Sequence, residues 1–226
     1  MVQDPESDAK GENVCGRVLC FPYGKGSTVG SYSMYQLKLN GLAPAAIVNR
    51  SAEPIVATGA IMSEIPMVDG IDIALIRPGD LLNVDASEGT VEIEGVTEKH
   101  VVTTVLRSKG RILLLRRSDK VGSFRGSWAG VSGYIEPHEP DLDAARRELQ
   151  EEIGLGKARF VKRIEPERFR DGQVVWCVHP FLFDTKQCEI RMDWEHSAYQ
   201  WVPPEKVAEF QTVPGLHMIV CKLLGR

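Results

Sequence analysis

The amino-acid sequence predicts an α/β protein of two units, and three observations carry that expectation. A strand, a glycine-punctuated loop and a helix follow one another between Arg17 and Leu39. A short polar join at Gly95–Lys99 then precedes a new run of strands. Beyond those strands, a helix between Pro140 and Gly154 carries a stripe of carboxylates.

Residues 1–12 are polar and acidic, which predicts a flexible arm. Arg17–Phe21 reads as a strand, Tyr23–Gly30 as a loop and Ser31–Leu39 as a helix. A glycine-rich loop in that position can aim backbone N–H groups at an anion, and Lys25, Ser27 and Thr28 would add donors. The spacing is not that of a Walker loop, and the Ser27 hydroxyl could equally serve the helix start. Ala45–Asn49 and Ile71–Ile76 have the aliphatic character of buried strands, while Ile55–Met62 fits a strand or a helix. Leu81–Val84 and Val91–Ile93 flank a turn and form a hairpin that closes the first unit. The boundaries expected are 1–12 for the arm, 13–97 for the first domain and 98–226 for the second.

The second unit opens with a hairpin of Val101–Arg107 and Ile112–Arg116. A cationic loop follows, in which Arg116, Arg117, Lys120 and Arg125 are candidates for phosphate contacts, because guanidinium groups match phosphate oxygens. Solvated surface charge is the competing reading for each of them, and Trp128 suits packing better than stacking. Next comes the acidic helix. Pro140 suits a first turn, Asp141 and Asp143 suit the positive end, and Gly154 suits a C-terminal cap. Leu142, Ala145, Leu149 and Ile153 then share one arc, with Glu148, Glu151 and Glu152 on its neighbour.

Glu148 and Glu152 are like charges at i, i+4, which repel unless a cation lies between them. Hard divalent cations such as Mg²⁺ take carboxylate and phosphate oxygens together. Arg147 stands four residues before Glu151 and could orient it. The spacing alone is equally that of a solvated acidic face.

After the helix, Arg159–Arg168 and Val174–Phe183 read as strands, the second carrying Trp176 and a His179 read as a satisfied core histidine. Glu195 and, less strongly, His196 stand in a polar loop before the strand Tyr199–Val202. Pro203–Pro204 opens a helical turn and Val213–Leu224 forms the closing helix.

Composition narrows the partners. A net charge of −4 over 226 residues disfavours nucleic acid and anionic membranes as bulk partners. No apolar run reaches membrane-spanning length and the start lacks the pattern of a signal peptide, so a cytoplasmic protein is expected. Five cysteines without a CxxC pair read as reduced thiols, and Cys15 and Cys20 lack the second pair that a zinc site would need.

Residues 133–155 read Gly-x₅-Glu-x₇-Arg-Glu-Leu-x-Glu-Glu-x-Gly-Leu, which resembles the signature of the Nudix hydrolases at every fixed position. The resemblance implies an α/β/α sandwich that cleaves an organic diphosphate with Mg²⁺ or Mn²⁺. It also implies that Glu148, Glu151 and Glu152 are metal ligands, that Gly133 adds a backbone carbonyl, that Arg147 orients a glutamate and that Glu139 supports the site. A further acidic ligand from the later loop would be Glu195. Which carboxylate acts as base stays open, and the family's frequent dimers make a homodimer compatible.

Gly24–Ser31, Ala43–Val48 and Thr58–Ile61 resemble the small subunit of the aconitase X group, as in phosphomevalonate dehydratase. That resemblance implies a small swivelling β/β/α domain, a dehydratase large subunit as partner and Ser27 as the matching site serine. The match begins only about a dozen residues into the chain, where the family domain carries a few tens more. Two functions are therefore expected for comparison: a Nudix diphosphatase acting on a nucleoside diphosphate derivative or other organic diphosphate, and an accessory or metabolite-sensing protein of isoprenoid metabolism.

Overall fold

A computed structural model describes residues 2, 7, 9–25 and 29–226. The chain divides into two compact units, residues 1–96 and 97–226.

Among the described residues of the first unit, strands β1 (Val18–Phe21), β2 (Ala46–Asn49) and β3 (Met67–Val68) form a parallel sheet in that order. Helices α1 (Val29–Leu39) and α2 (Pro54–Met62) connect them and pack on each other. Ile47, Val56, Ala60 and Ile65 make the buried core, and β4 (Leu82–Asp85) pairs with β5 (Thr90–Ile93) as a separate hairpin. Pro54 stands in the first turn of α2, where its missing N–H costs nothing, and settles the segment as helix.

One expectation changes here. Ile71–Ile76 is not a buried strand: Ile73–Leu75 is a 3-10 turn without a buried residue. The Asp72 carboxylate accepts the Ala74 N–H at 3.2 Å, a local bond that competes with strand pairing, and Met67–Val68 takes the third sheet position. Among the described residues of the first dozen, Val2 N–H donates to the Glu12 carbonyl at 3.0 Å and Gly11 N–H to that of Val2 at 2.9 Å. Ser27 and Thr28 lie outside the described residues.

The second unit is built on an eight-stranded mixed sheet. Its main path is β10 (Arg159–Arg163), β12 (Val174–Asp184), β6 (Thr97–Ser108), β7 (Arg111–Arg117) and β13 (His196–Val202). β11 (Glu167–Asp171) pairs with β12, β8 (Trp128–Ala129) with β7 and β9 (Val131–Tyr134) with β6. The pairing of β6 and β12 is parallel, from Thr97 opposite Val174 to Arg107 opposite Asp184.

Alternation along the strands sorts the two faces. Leu113 and Leu115 pack with Phe181 and Phe183 under α3 (Asp141–Ile153), whereas Ile112 and Leu114 pack with Leu182 under α4 (Leu216–Leu224). Full burial of Leu149 and Ile153 fastens α3 to the sheet, each contributing about 1.5–3 kcal/mol. The expected single strand 159–168 is interrupted at Pro166, which has no N–H for a ladder, and becomes β10 and β11. α4 starts at Leu216, later than Val213, because Pro214 and Gly215 precede it. Among the described residues, no helix is long and apolar enough to cross a membrane.

Candidate active site

Helix α3 places the carboxylates. Asp141 and Asp143 sit in its first turn, favoured by the helix dipole. At the far end Gly154 adopts the left-handed conformation at φ 68°, donating to the Gln150 carbonyl at 3.1 Å, while Leu155 N–H reaches Leu149 at 2.9 Å. The chain thereby leaves the helix at once after Glu151 and Glu152. The apolar arc is buried, and Glu148 and Glu152 go down with it, whereas Glu151 stays exposed.

Arg147 holds the group together. Its guanidinium makes a bidentate pair with Glu139, at 2.9 Å through both Nε and Nη2. It also reaches Glu148 Oε1 at 2.5 Å, Glu151 Oε2 at 3.2 Å and the Tyr134 carbonyl at 2.9 Å. Glu139 in turn accepts the Glu136 N–H at 3.1 Å, and the Arg147 bonds hold its carboxyl below the usual range.

The two buried carboxylates behave differently. Burial raises the pKa of Glu148, opposed by Arg147. Glu152 is raised well above the ordinary value by burial, reinforced by Glu148, Asp193 and Glu195. Its Oε1 accepts only a long 3.4 Å bond from Ser132 N–H, and its Oε2 has no hydrogen-bond partner among the described residues. His196 Nε2 stands 3.8 Å away, with Nδ1 against Asp193 at 3.0 Å. Burial keeps that imidazole below its usual pKa despite Asp193, so it does not supply the missing positive charge.

An unpartnered oxygen on a buried glutamate beside a second buried glutamate is a donor set for a hard cation. The all-oxygen chemistry fits Mg²⁺ or Mn²⁺. Gly133 fits as well: a Cβ there would lie 1.9 Å from Glu148 Oε1, so β9 can lie against the carboxylate only as glycine.

Gly133, Arg147, Glu148, Glu151, Glu152, Glu195 and Arg117 all line one cavity of about 380 Å³. Glu195 is fixed through its backbone, its N–H donating to Asp193 Oδ1 at 3.0 Å and its carbonyl accepting from Ser118 at 2.7 Å. The loop before it is stitched to the end of α3, with Arg191 N–H on the Ile153 carbonyl at 3.2 Å and Asp193 N–H on that of Glu152 at 3.0 Å.

Glu139 reaches the site only through Arg147. Arg116 and Arg125 lie outside the cavity lining, and their Nε groups donate to the carbonyls of Gly126 at 3.3 Å and Val121 at 2.8 Å. The Ser27 position belongs to the other unit, outside the described residues. Trp128 packs edge-on against Phe210 with ring centroids 5.3 Å apart.

Sequence reasoning missed the aromatic wall. Trp176 has Phe124 at 6.0 Å and Tyr134 at 6.1 Å between centroids, and Lys99 Nζ lies 5.7 Å from the rings of both Tyr134 and Trp176. The buried Trp176 Nε1 has no acceptor among the described residues. It missed His100 and Cys177 too, which the sheet brings beside His179. His179 is half-buried and has a partner, its Nδ1 lying 3.3 Å from Asp141. The signal available was the Cys-x-His alternation in one strand, which puts both side chains on one face.

Together the layered mixed sheet and the carboxylate helix define an α/β architecture that sets paired glutamates in the wall of one cavity. Comparison with known proteins agrees: residues 97–222 match the NUDIX domain family and residues 1–93 the aconitase X swivel domain family. The chain belongs to the NUDIX family and carries an aconitase X swivel domain ahead of its NUDIX domain. Its N-terminal part is 60% identical over 94 residues to the phosphomevalonate dehydratase small subunit of Thermococcus sibiricus, covering 42% of this chain and 72% of that one. The same subunit from Thermococcus onnurineus is 57% identical over 94 residues, with 42% and 72% covered. In fold, the MutT protein of Methanosarcina mazei Go1 superposes with a TM-score of 0.50 at 24% identity, covering 57% of this chain and 95% of that structure.

Proposed function

We propose that the NUDIX domain hydrolyses a diphosphate linkage in a nucleoside diphosphate derivative or a related organic diphosphate, using Mg²⁺ or Mn²⁺. The observation that carries this reading is the buried Glu148–Glu152 pair with an unpartnered Glu152 oxygen in the wall of a cavity. Glu148, Glu151 and Glu152, with the Gly133 carbonyl and Glu195, would hold the cation. When bound, it supplies charge neutralisation at phosphate and a more acidic water.

The chain's own residues do the rest. A water oxygen bonds to one phosphorus, the bridging P–O bond breaks, and the departing phosphate group keeps the electron pair. A glutamate of the cluster accepts the water proton. Arg117, which lines the cavity with its Nε on the Ser123 carbonyl at 3.0 Å, would offer its remaining N–H groups to phosphate oxygens, and Arg147 keeps Glu148 and Glu139 in register. The aromatic wall supports a flat ring on the organic side, since stacking on one aromatic is worth about 1–3 kcal/mol per base.

Phosphate release from nucleoside-linked and isoprenoid diphosphates tests the proposal, with Mg²⁺ or EDTA and with the wild type beside Glu152→Gln. Metal-dependent release lost in the variant is expected. Release that survives Glu152→Gln would move the metal site elsewhere.

The swivel domain favours a second reading, as an accessory to a dehydratase large subunit or a diphosphate sensor in isoprenoid metabolism. Identity of 60% to a dehydratase small subunit supports it, as do the exposed Tyr32 and Leu39 on α1 and Ile61 on α2. Co-purification with a large dehydratase subunit, together with silence across the diphosphate panel, would favour it over the first.

A further inference from the structure

We propose that the NUDIX domain carries a second metal site, for a zinc-class transition ion, formed by His100 Nδ1, Cys177 Sγ and His179 Nε2. The three donor atoms all lie within 4.8 Å of one another. His100 Nδ1 and His179 Nε2 are 3.2 Å apart, and Cys177 Sγ is 3.9 Å from His179 Nε2. Zn–N and Zn–S bonds in tetrahedral geometry place two nitrogens about 3.3 Å apart, and nitrogen and sulfur about 3.6 Å apart. Two of the three edges are thus already near the size of a coordination sphere, and the third lies within 4.8 Å.

Strand pairing builds it. Cys177 and His179 alternate along β12 and so face the same side, and the parallel register sets His100 of β6 opposite Cys177. Cys177 is buried, His179 half-buried and His100 exposed, which leaves a fourth position open to solvent.

Proton counting gives an independent reason for a cation there. His179 Nδ1 faces Asp141 Oδ2 at 3.3 Å, and His100 Nε2 faces Glu98 Oε1 at 3.3 Å. In the arrangement where each imidazole carries a single N–H group and turns it to its carboxylate, no N–H group is left over. The inner nitrogens are then left with lone pairs facing each other at 3.2 Å. A metal ion between them resolves the conflict. The outer contacts are the carboxylate–histidine pairs that orient metal-bound imidazoles. Arg168, 3.5 Å from Glu98, and Arg163, 3.2 Å from Asp141, hold the carboxylates in turn.

Thiolate and imidazole select zinc-class ions over Mg²⁺, so this site and the all-oxygen site do not compete for one metal. Binding replaces the Cys177 S–H proton, which leaves to solvent. The ion would clamp the opening turn of α3, through His179 and Asp141, to the two longest strands of the sheet.

The test uses the full chain, stripped with a chelator and titrated with Co²⁺ in a thiol-free reductant. One equivalent should raise a near-ultraviolet thiolate-to-cobalt band that Zn²⁺ displaces. The band should persist in Glu152→Gln and vanish in both Cys177→Ser and His100→Ala. Because His100 is exposed, its substitution is expected to leave folding intact. Asp141→Asn should weaken binding by about 10–100-fold. Absence of any band would overturn the proposal in favour of a proton shared by the two histidines. A band unchanged in His100→Ala would assign the ion to another thiol.

Discussion

Gly133 and Glu148 occupy what would otherwise be the same space: a Cβ on the glycine falls 2.0 Å from the carboxylate carbon. Since Glu148 is buried and held by Arg147, it cannot simply swing aside. Gly133→Ala is therefore expected to displace the carboxylate and reduce Mg²⁺-dependent turnover by about 10²-fold, with the fold retained. Steady-state kinetics against Mg²⁺ concentration checks this. An unchanged Mg²⁺ dependence would mean that the carboxylate has room to relax.

Glu152 makes stability depend on pH. Its folded pKa lies well above the ordinary 4.5, so the metal-free folded chain binds more protons than the unfolded chain above that value. Its contribution is fully present below 4.5 and is lost as pH rises toward the folded pKa. Metal-free Glu152→Gln should accordingly melt at a higher temperature than the wild type near neutral pH, with the gap closing in acid. Added Mg²⁺ should stabilise the wild type more than the variant, increasingly so as pH rises, because metal and proton compete. Thermal melts at two pH values, with and without Mg²⁺, measure both effects.

Arg147 is expected to resist conservative replacement. Lysine can neutralise charge but cannot span both Glu139 oxygens while reaching the Tyr134 carbonyl and Glu148. Arg147→Lys should reduce turnover yet keep the fold, whereas Arg147→Ala should also cost about 3 kcal/mol by leaving Glu148 buried without its partner. Denaturant unfolding of the two variants separates these outcomes. Equal stability would place the value of Arg147 in catalysis alone.

Asp184 tests the sheet apart from the site. Arg107 grips it at 2.8 and 3.1 Å, and Arg159 adds a bond at 2.6 Å. The Arg107 bond is the main cause of a folded pKa below the ordinary 3.8. Its stabilisation is thus present above 3.8 and disappears as pH falls through the folded pKa. Asp184→Asn should lose about 1–2 kcal/mol near neutral pH, discounted for the exposure of Arg159, and little in strong acid. Urea titrations along a pH series would show a constant gap if the ion pair were irrelevant.

The acidic helix was readable because local chemistry marks both ends: Asp141 and Asp143 begin it, and Gly154 stops it. The relation of Arg147 to Glu151 follows from helical spacing alone, whereas its stronger pairing with Glu139 depends on how the preceding loop folds back. Periodicity misread Ile71–Ile76 because an aliphatic run says nothing of the Asp72 side chain that captures a backbone N–H. Neither the aromatic wall nor the His100–Cys177 juxtaposition is local. Each depends on the register of strands more than seventy residues apart in the case of β6 and β12, and that register is set by the whole core. The cationic loop likewise looked uniform, yet only Arg117 lines the cavity among Arg116, Arg117 and Arg125.

The stitching of Arg191 and Asp193 to the last carbonyls of α3 divides the segment between β12 and β13 into two parts with different freedom to evolve. Before Arg191 the segment has ties of its own, Trp201 Nε1 donating to the Cys188 carbonyl at 2.8 Å and Ile190 packing on the core, so that a change there is separated from Glu195 by the downstream tie. After Asp193, each added residue would shift Glu195 directly.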